Sequence, residues 1–241
     1  MEEQRMRFRS ITKHVKEQNW FAVVLDFVVV VVGILIALQI SNWNELRQAR
    51  IAESTLLVSL EGDFKTLKDT LENRFARAKR LIADTSELIE LVRSNQKPSN
   101  IPNTKQALLS ASLFSAPVAR PTSFIDGLQS GRISRLQSGN LRRALNAYAI
   151  STDWWATVKG PPAPQIDPNS KLNQALVWEA EDKLEKALMR NILKYEWAGV
   201  VSADRELTII HRRQTLQAEA YRLEIAAVDQ VLAALKNEIQ E

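Results

Sequence analysis

Cysteine is absent from the 241 residues, which removes disulfide frameworks, thiol nucleophiles and cysteine-built metal sites together. Histidine is nearly absent as well: His14 and His211 stand far apart in charged surroundings, so neither a zinc site nor a Ser-His pairing is signalled. The seven glycines fit no nucleotide-binding spacing and no P-loop occurs. Neither sign of charge dominates, because 32 basic residues are interleaved with 28 acidic ones. The net charge of +4 therefore reads as a mixed-charge helical surface and not as the footprint of a nucleic-acid binder. From these absences we expect no enzyme activity, no cofactor, no metal and no nucleic-acid partner. Proline is missing from both ends of the chain, since all eight prolines fall between Pro98 and Pro168. Both ends are thus free to form long helices.

What is present is one long apolar run. From Phe21 to Ile40 only Asp26 and Gln39 interrupt it, and as a helix it extends roughly 30 Å, the thickness of a bilayer's hydrocarbon core. Trp20 and Trp43 bracket it where amphipathic rings sit, at the membrane-water interfaces. The lipid bilayer is therefore the first expected partner, through a single-pass helix over 20–43. Arg5, Arg7, Arg9, Lys13 and Lys16 precede the span, whereas Arg47 and Arg50 follow it, so the short basic tail 1–19 is expected on the cytoplasmic side. The run is longer than a signal-peptide core and no small-x-small site separates it from Ser41-Asn42-Trp43-Asn44. It reads as an uncleaved signal-anchor, with 44–241 outside the cytoplasm.

Two stretches carry a resemblance. Val28 to Glu45, VVVVVGILIALQISNWNE, with Asp26 before it, resembles the signature of a large family of uncharacterised bacterial single-span proteins, in which an acidic residue precedes a "VVIGILIALQINNWNE"-like span. Thr122-Ser123-Phe124, Gly131-Arg132-Ile133 and Leu141-Arg142-Arg143 are similar to the second block of that family. The resemblance implies the inner membrane of a bacterium, a cytoplasmic N terminus and a periplasmic C-terminal domain. Its family is a domain of unknown function, so it implies no activity.

Beyond the span, Leu56, Leu60, Phe64, Leu67, Leu71, Phe75, Ala78 and Ile82 recur at steps of three and four, the mark of an amphipathic helix. This helix either continues from the span or starts afresh at Asn42 and Glu45, which have capping-box spacing. Coiled-coil association is the alternative to packing within its own bundle. A short helix over 104–114 and broken helical pieces over 123–157 follow, the latter with Ser123 and Asp126 as a capped start. The last part reads as two helices. Leu172, Leu176, Ala180, Leu184, Leu188 and Ile192 line the first; Tyr221, Ile225, Val228, Leu232, Leu235 and Ile239 line the second, with Ser202 as its N-cap and Asp204 and Glu206 in its first turn. The expected fold class is all-α: an N-terminal transmembrane helix, then an extracytoplasmic helical bundle with long antiparallel helices.

Two candidate sites emerge. Asp26, Val30, Gly33 and Ala37 fall on one face of the span, and Gly33 with Ala37 forms a small-xxx-small pair that lets another helix approach closely. Either Asp26 reaches headgroups from near the cytoplasmic boundary, or this face meets a partner helix or a second copy of the chain. Arg132, Arg135, Ser138, Gly139, Arg142 and Arg143 form the second, a possible anion site of guanidinium donors around a helix start. Trp154 and Trp155 stand either in the core or exposed to a partner. Two functions compete on this basis. One is a membrane-anchored interaction or scaffold protein docking on partners at the inner membrane. The other is a ligand-sensing or anion-binding periplasmic domain coupled to a partner through the span.

Overall fold

One helix dominates the chain: in the computed structural model α1 runs without interruption from Trp20 to Arg93. The structure describes residues 20–94, 98–113, 118–159, 169–179 and 191–240; the basic tail and the side chains of Trp154 and Trp155 lie outside them. The helix is continuous through Asn42 and Glu45, so neither starts a new one. By contact the chain divides into two units, Met1–Thr55 and Leu56–Glu241. The described part of the first unit is the opening of α1, which is long and apolar enough to cross a bilayer, with none of its most apolar window buried.

The second unit holds the rest of α1 and a chain of shorter elements: α2 (Ile101–Ala111), α3 (Thr122–Gln129), α4 (Arg132–Arg135), α5 (Gly139–Lys159), α6 (Lys171–Gln174), β1 (Leu176–Trp178), β2 (Ile192–Tyr195), α7 (Trp197–Ser202) and α8 (Asp204–Gln240). Local chemistry sets several starts. Asn100 caps α2 by accepting from the Asn103 amide at 3.2 Å, with Pro102 in the first turn, where its missing N–H leaves no bond unmade. Ser170 caps α6 in the same way through the Asn173 amide at 3.1 Å.

Helices α1 and α8 run antiparallel. Lys68 Nζ meets Asp229 Oδ1 at 2.6 Å and Arg93 Nε meets Asp204 Oδ1 at 2.9 Å, and the two pairs stand 25 residues apart along both helices. The Asp229 carboxylate, by hydrogen bond and by charge, holds Lys68 above the ordinary lysine range. Between the helices lies the expected stripe. Leu56, Leu60, Phe64, Leu67, Leu71 and Ala78 are buried, Phe75 and Ile82 pack partly against them, and Tyr221, Val228 and Leu235 face them from α8. A second apolar cluster gathers Leu88 and Val92 of α1, Leu108 of α2, Leu172, Leu176 and Ile192 of the hairpin region, and Leu207 and Ile210 of α8.

The fold is mostly helical, and three expectations are corrected. Leu172, Leu176 and Ile192 do not share one helix: β1 and β2 form an antiparallel two-stranded sheet in which Leu176 faces Tyr195 and Trp178 faces Ile192. Helix α6 stops after one turn, capped at Ala175. A Cβ on Gly199 would lie 2.8 Å from Ala175 Cβ, so α7 packs onto that stop through a residue that must be glycine. The positions Ala180, Leu184 and Leu188 lie outside the described residues. Ser202 ends α7, with its hydroxyl on the Gly199 carbonyl at 2.7 Å, and so does not cap α8. Asp204 and Glu206 do occupy the first turn of α8, but each serves another element. Asp204 binds Arg93, and both Glu206 oxygens accept amides at the start of α6, from Lys171 and Leu172 at 3.0 Å. Lastly, α3 takes its cap from a distance: Asp63 Oδ2 accepts from the Ser123 amide at 3.0 Å, and the Ser123–Asp126 pair does not form the start.

The broken region 123–157 folds as expected, into α3, α4 and α5. Gly131, at φ +70°, turns the chain between α3 and α4 in a left-handed conformation that β-carbons disfavour. Gly127 lets Ile133 approach so closely that a Cβ there would meet its Cγ1 at 3.0 Å. At the centre Phe64, Phe124 and Tyr148 meet edge to face, with centroids 6.1, 5.0 and 5.2 Å apart, a geometry favoured by the ring quadrupoles. Phe64→Ala empties the middle of this trio and is expected to lower unfolding free energy by about 3–5 kcal/mol; thermal denaturation followed by circular dichroism checks it.

Candidate functional site

Asp26, Val30, Gly33 and Ala37 all belong to α1 and all are exposed. Steps of four, three and four bring them to one side of the helix. A Cβ built on Gly33 would meet nothing within 4 Å, so the described chain does not cover this face. Chemically it offers close backbone approach at Gly33 and one carboxyl group at Asp26.

The arginine-rich corner is partly used up by its own fold. Ser138 Oγ accepts from the Leu141 amide at 3.2 Å at the start of α5, and the Arg142 guanidinium donates to the Leu136 carbonyl at the end of α4. Arg142 thus acts as a cap, completing a helix end that has carbonyls to spare. Arg143 donates to Asn140 Oδ1 at 2.6 Å and Arg132 to Ser130 Oγ at 3.0 Å. Arg132, Arg135 and Arg143 remain exposed, and Gly139 opens α5 with a Cβ position 3.9 Å from an Arg142 nitrogen.

A buried polar cluster in the core was not anticipated. Tyr148 of α5 is fully buried, and its hydroxyl has no hydrogen-bond partner among the described residues. Glu224 of α8 is only 4% exposed. Burial, and then the negative charge of Glu224, push the Tyr148 hydroxyl above the usual tyrosine range, opposed by Arg120. Arg120 is itself ion-paired with Asp153 of α5. One signal for this cluster stood in the sequence: Tyr221, Glu224 and Val228 follow the same three-and-four steps as the apolar stripe, so the acid had to face inward. The hydroxyl's lack of a partner depended on tertiary packing. Among the described residues no group of three or more His, Cys, Asp or Glu side chains is arranged to hold a metal ion.

Tyr148→Phe is expected to leave stability at neutral pH unchanged or slightly higher, because it deletes a buried donor that bonds to none of the described residues. The tyrosine contribution to stability has a definite pH sense. With the folded pKa raised above the unfolded value near 10, it is fully present below about pH 10 and is lost as the pH rises toward the folded value. Urea unfolding of both chains on either side of pH 10 checks this: the wild-type chain should lose stability relative to Tyr148→Phe on the alkaline side only.

Comparison with known proteins adds a family and no activity. Residues 26–152 match the model of DUF6090, a family of unknown function. The matched stretch opens at Asp26 and closes at Thr152 in α5, taking in the exposed face of the apolar helix, the arginine corner and Tyr148. No curated protein and no solved structure matches the chain. With more than half of its length inside that match, the chain belongs to this family of unknown function.

Proposed function

We propose that the chain is a membrane-anchored helical interaction or scaffold protein of the bacterial inner membrane. Its N terminus is cytoplasmic, its C-terminal domain is periplasmic, and it docks on partners through the span face Asp26, Val30, Gly33 and Ala37. One observation carries the reading: the apolar opening of α1 is exposed on every side, with Phe27, Val30, Ile36 and Ile40 among its uncovered side chains. In water so large an uncovered apolar area is unfavourable at about 25 cal/mol per Å²; in a bilayer it is at home. Lipid satisfies the apolar residues but not Asp26, and a small residue at Gly33 gives lipid no advantage, so a helix partner on that side accounts for both. The five-to-two basic asymmetry of the flanks supports the orientation.

Two measurements test this. A reporter that is active only in the periplasm, fused after Glu241, is expected to be active; activity of a cytoplasm-only reporter at the same site contradicts the orientation. In a membrane two-hybrid assay of the span, Gly33→Ile is expected to reduce association by holding the helices apart. Asp26→Leu is expected to weaken it by on the order of 1 kcal/mol. Unchanged association of both variants at equal membrane levels means that this face meets lipid.

A further inference from the structure

Between the stretches of α1 and α8 that feed the two apolar clusters lie buried polar residues, Thr85 of α1 and Gln214 of α8, and Gln214 is bonded to the buried Ser110 of α2. Most of their polar groups have partners. Gln214 Nε2 donates to the Ser110 carbonyl at 3.0 Å and to the Leu113 carbonyl at 3.1 Å, and Ser110 Oγ donates to Asp84 Oδ2 at 2.6 Å. With two carbonyls against Nε2, the amide has only one sensible orientation, because its reverse would oppose oxygen to oxygen. Two atoms are left over. Thr85 Oγ1 and Gln214 Oε1 belong to residues 0% and 1% exposed, and neither has a hydrogen-bond partner among the described residues.

Residue count along the two helices places Thr85 and Gln214 near one level of the α1–α8 seam. Counting back eight residues from Arg93 gives Thr85, and counting on eight from its partner Asp204 gives Arg212. Gln214 is two residues further, a rise of about 3 Å. Both residues are in the buried stripes of their helices, Thr85 between Leu81 and Leu88, Gln214 between Ile210 and Ala218. Leaving either oxygen bare in so apolar a place is unfavourable. We propose a binding site for one water molecule held between Thr85 Oγ1 and Gln214 Oε1. Water fits both ends: Gln214 Oε1 takes only a donor, and the threonine hydroxyl takes a donor or an acceptor. Two polar partners meet the lower limit for an internal water.

The test is a crystal structure of the full chain in detergent, at a resolution that shows ordered solvent, for the wild type, Thr85→Ser and Thr85→Val. A single solvent peak within hydrogen-bonding distance of both Oγ of residue 85 and Gln214 Oε1 is expected in the wild type. It should persist in Thr85→Ser, which keeps the hydroxyl, and vanish in Thr85→Val, which removes it while nearly keeping the shape. Direct donation from Thr85 Oγ1 to Gln214 Oε1 with nothing between them overturns the proposal. So does a solvent peak that survives unchanged in Thr85→Val, since the hydroxyl is then no part of the site.

Discussion

The apolar seam between α1 and α8 is the contact on which the other elements rest. Neither helix buries its stripe alone, and the short pieces α2, α3 and α4 have too few residues to be stable helices without a surface to lie on. The seam supplies that surface. Phe64 receives Phe124 and Tyr148 from α3 and α5, Asp63 caps α3, and Glu206 caps α6. The ion pairs at Lys68–Asp229 and Arg93–Asp204 are exposed and add little free energy, but they agree on a single antiparallel register. The bonded Gln214 amide opposes sliding more strongly. Moving α8 by a turn would withdraw the Gln214 amide from the Ser110 and Leu113 carbonyls, and a buried carbonyl such as that of Ser110 is unfavourable when left bare.

Much of this was legible in the residues. The stripe from Leu56 to Ile82 and that from Tyr221 to Leu235 carry a helical period over many turns, and length makes such a signal hard to imitate. Gly131 marked the break between α3 and α4 because it takes a left-handed backbone, whereas Gly127 breaks nothing: it lies inside α3, where it admits Ile133 at close range. Leu172, Leu176 and Ile192 misled because multiples of four suit a helix, whereas their places are set by a strand pairing and by Gly199 pressing on Ala175. The cap of α3 was hidden for a related reason. Its acceptor, Asp63, is sixty residues from Ser123 in the chain, and local motifs register only neighbours.

The candidate interaction face was legible too, as a position on a helix. The arginine corner shows how composition overstates a site. Of its four arginines Arg142 is directed at the end of α4, and Ser138 is engaged with the start of α5, so part of an apparent anion cradle is helix capping. The Tyr148–Glu224 cluster shows the reverse: an acid and a hydroxyl, each ordinary by itself, become unusual only once two helices bury both.

In the proposed reading α1 is lipid-facing at its start and core-forming further on. Because the chain has no cysteine, a single spin label can be placed at any position of α1 in the full chain reconstituted into vesicles, and its collisions with dissolved oxygen, which concentrates in the bilayer, can be counted position by position. Labels on the side of the span away from Asp26 and Gly33, at Val28, Leu35 and Leu38, should collide frequently. From Leu56 onward the collision rate should be low, with minima recurring at Leu56, Leu60, Phe64, Leu67 and Leu71. Low, evenly protected values throughout the apolar run would mean that this stretch is buried in protein and crosses no membrane.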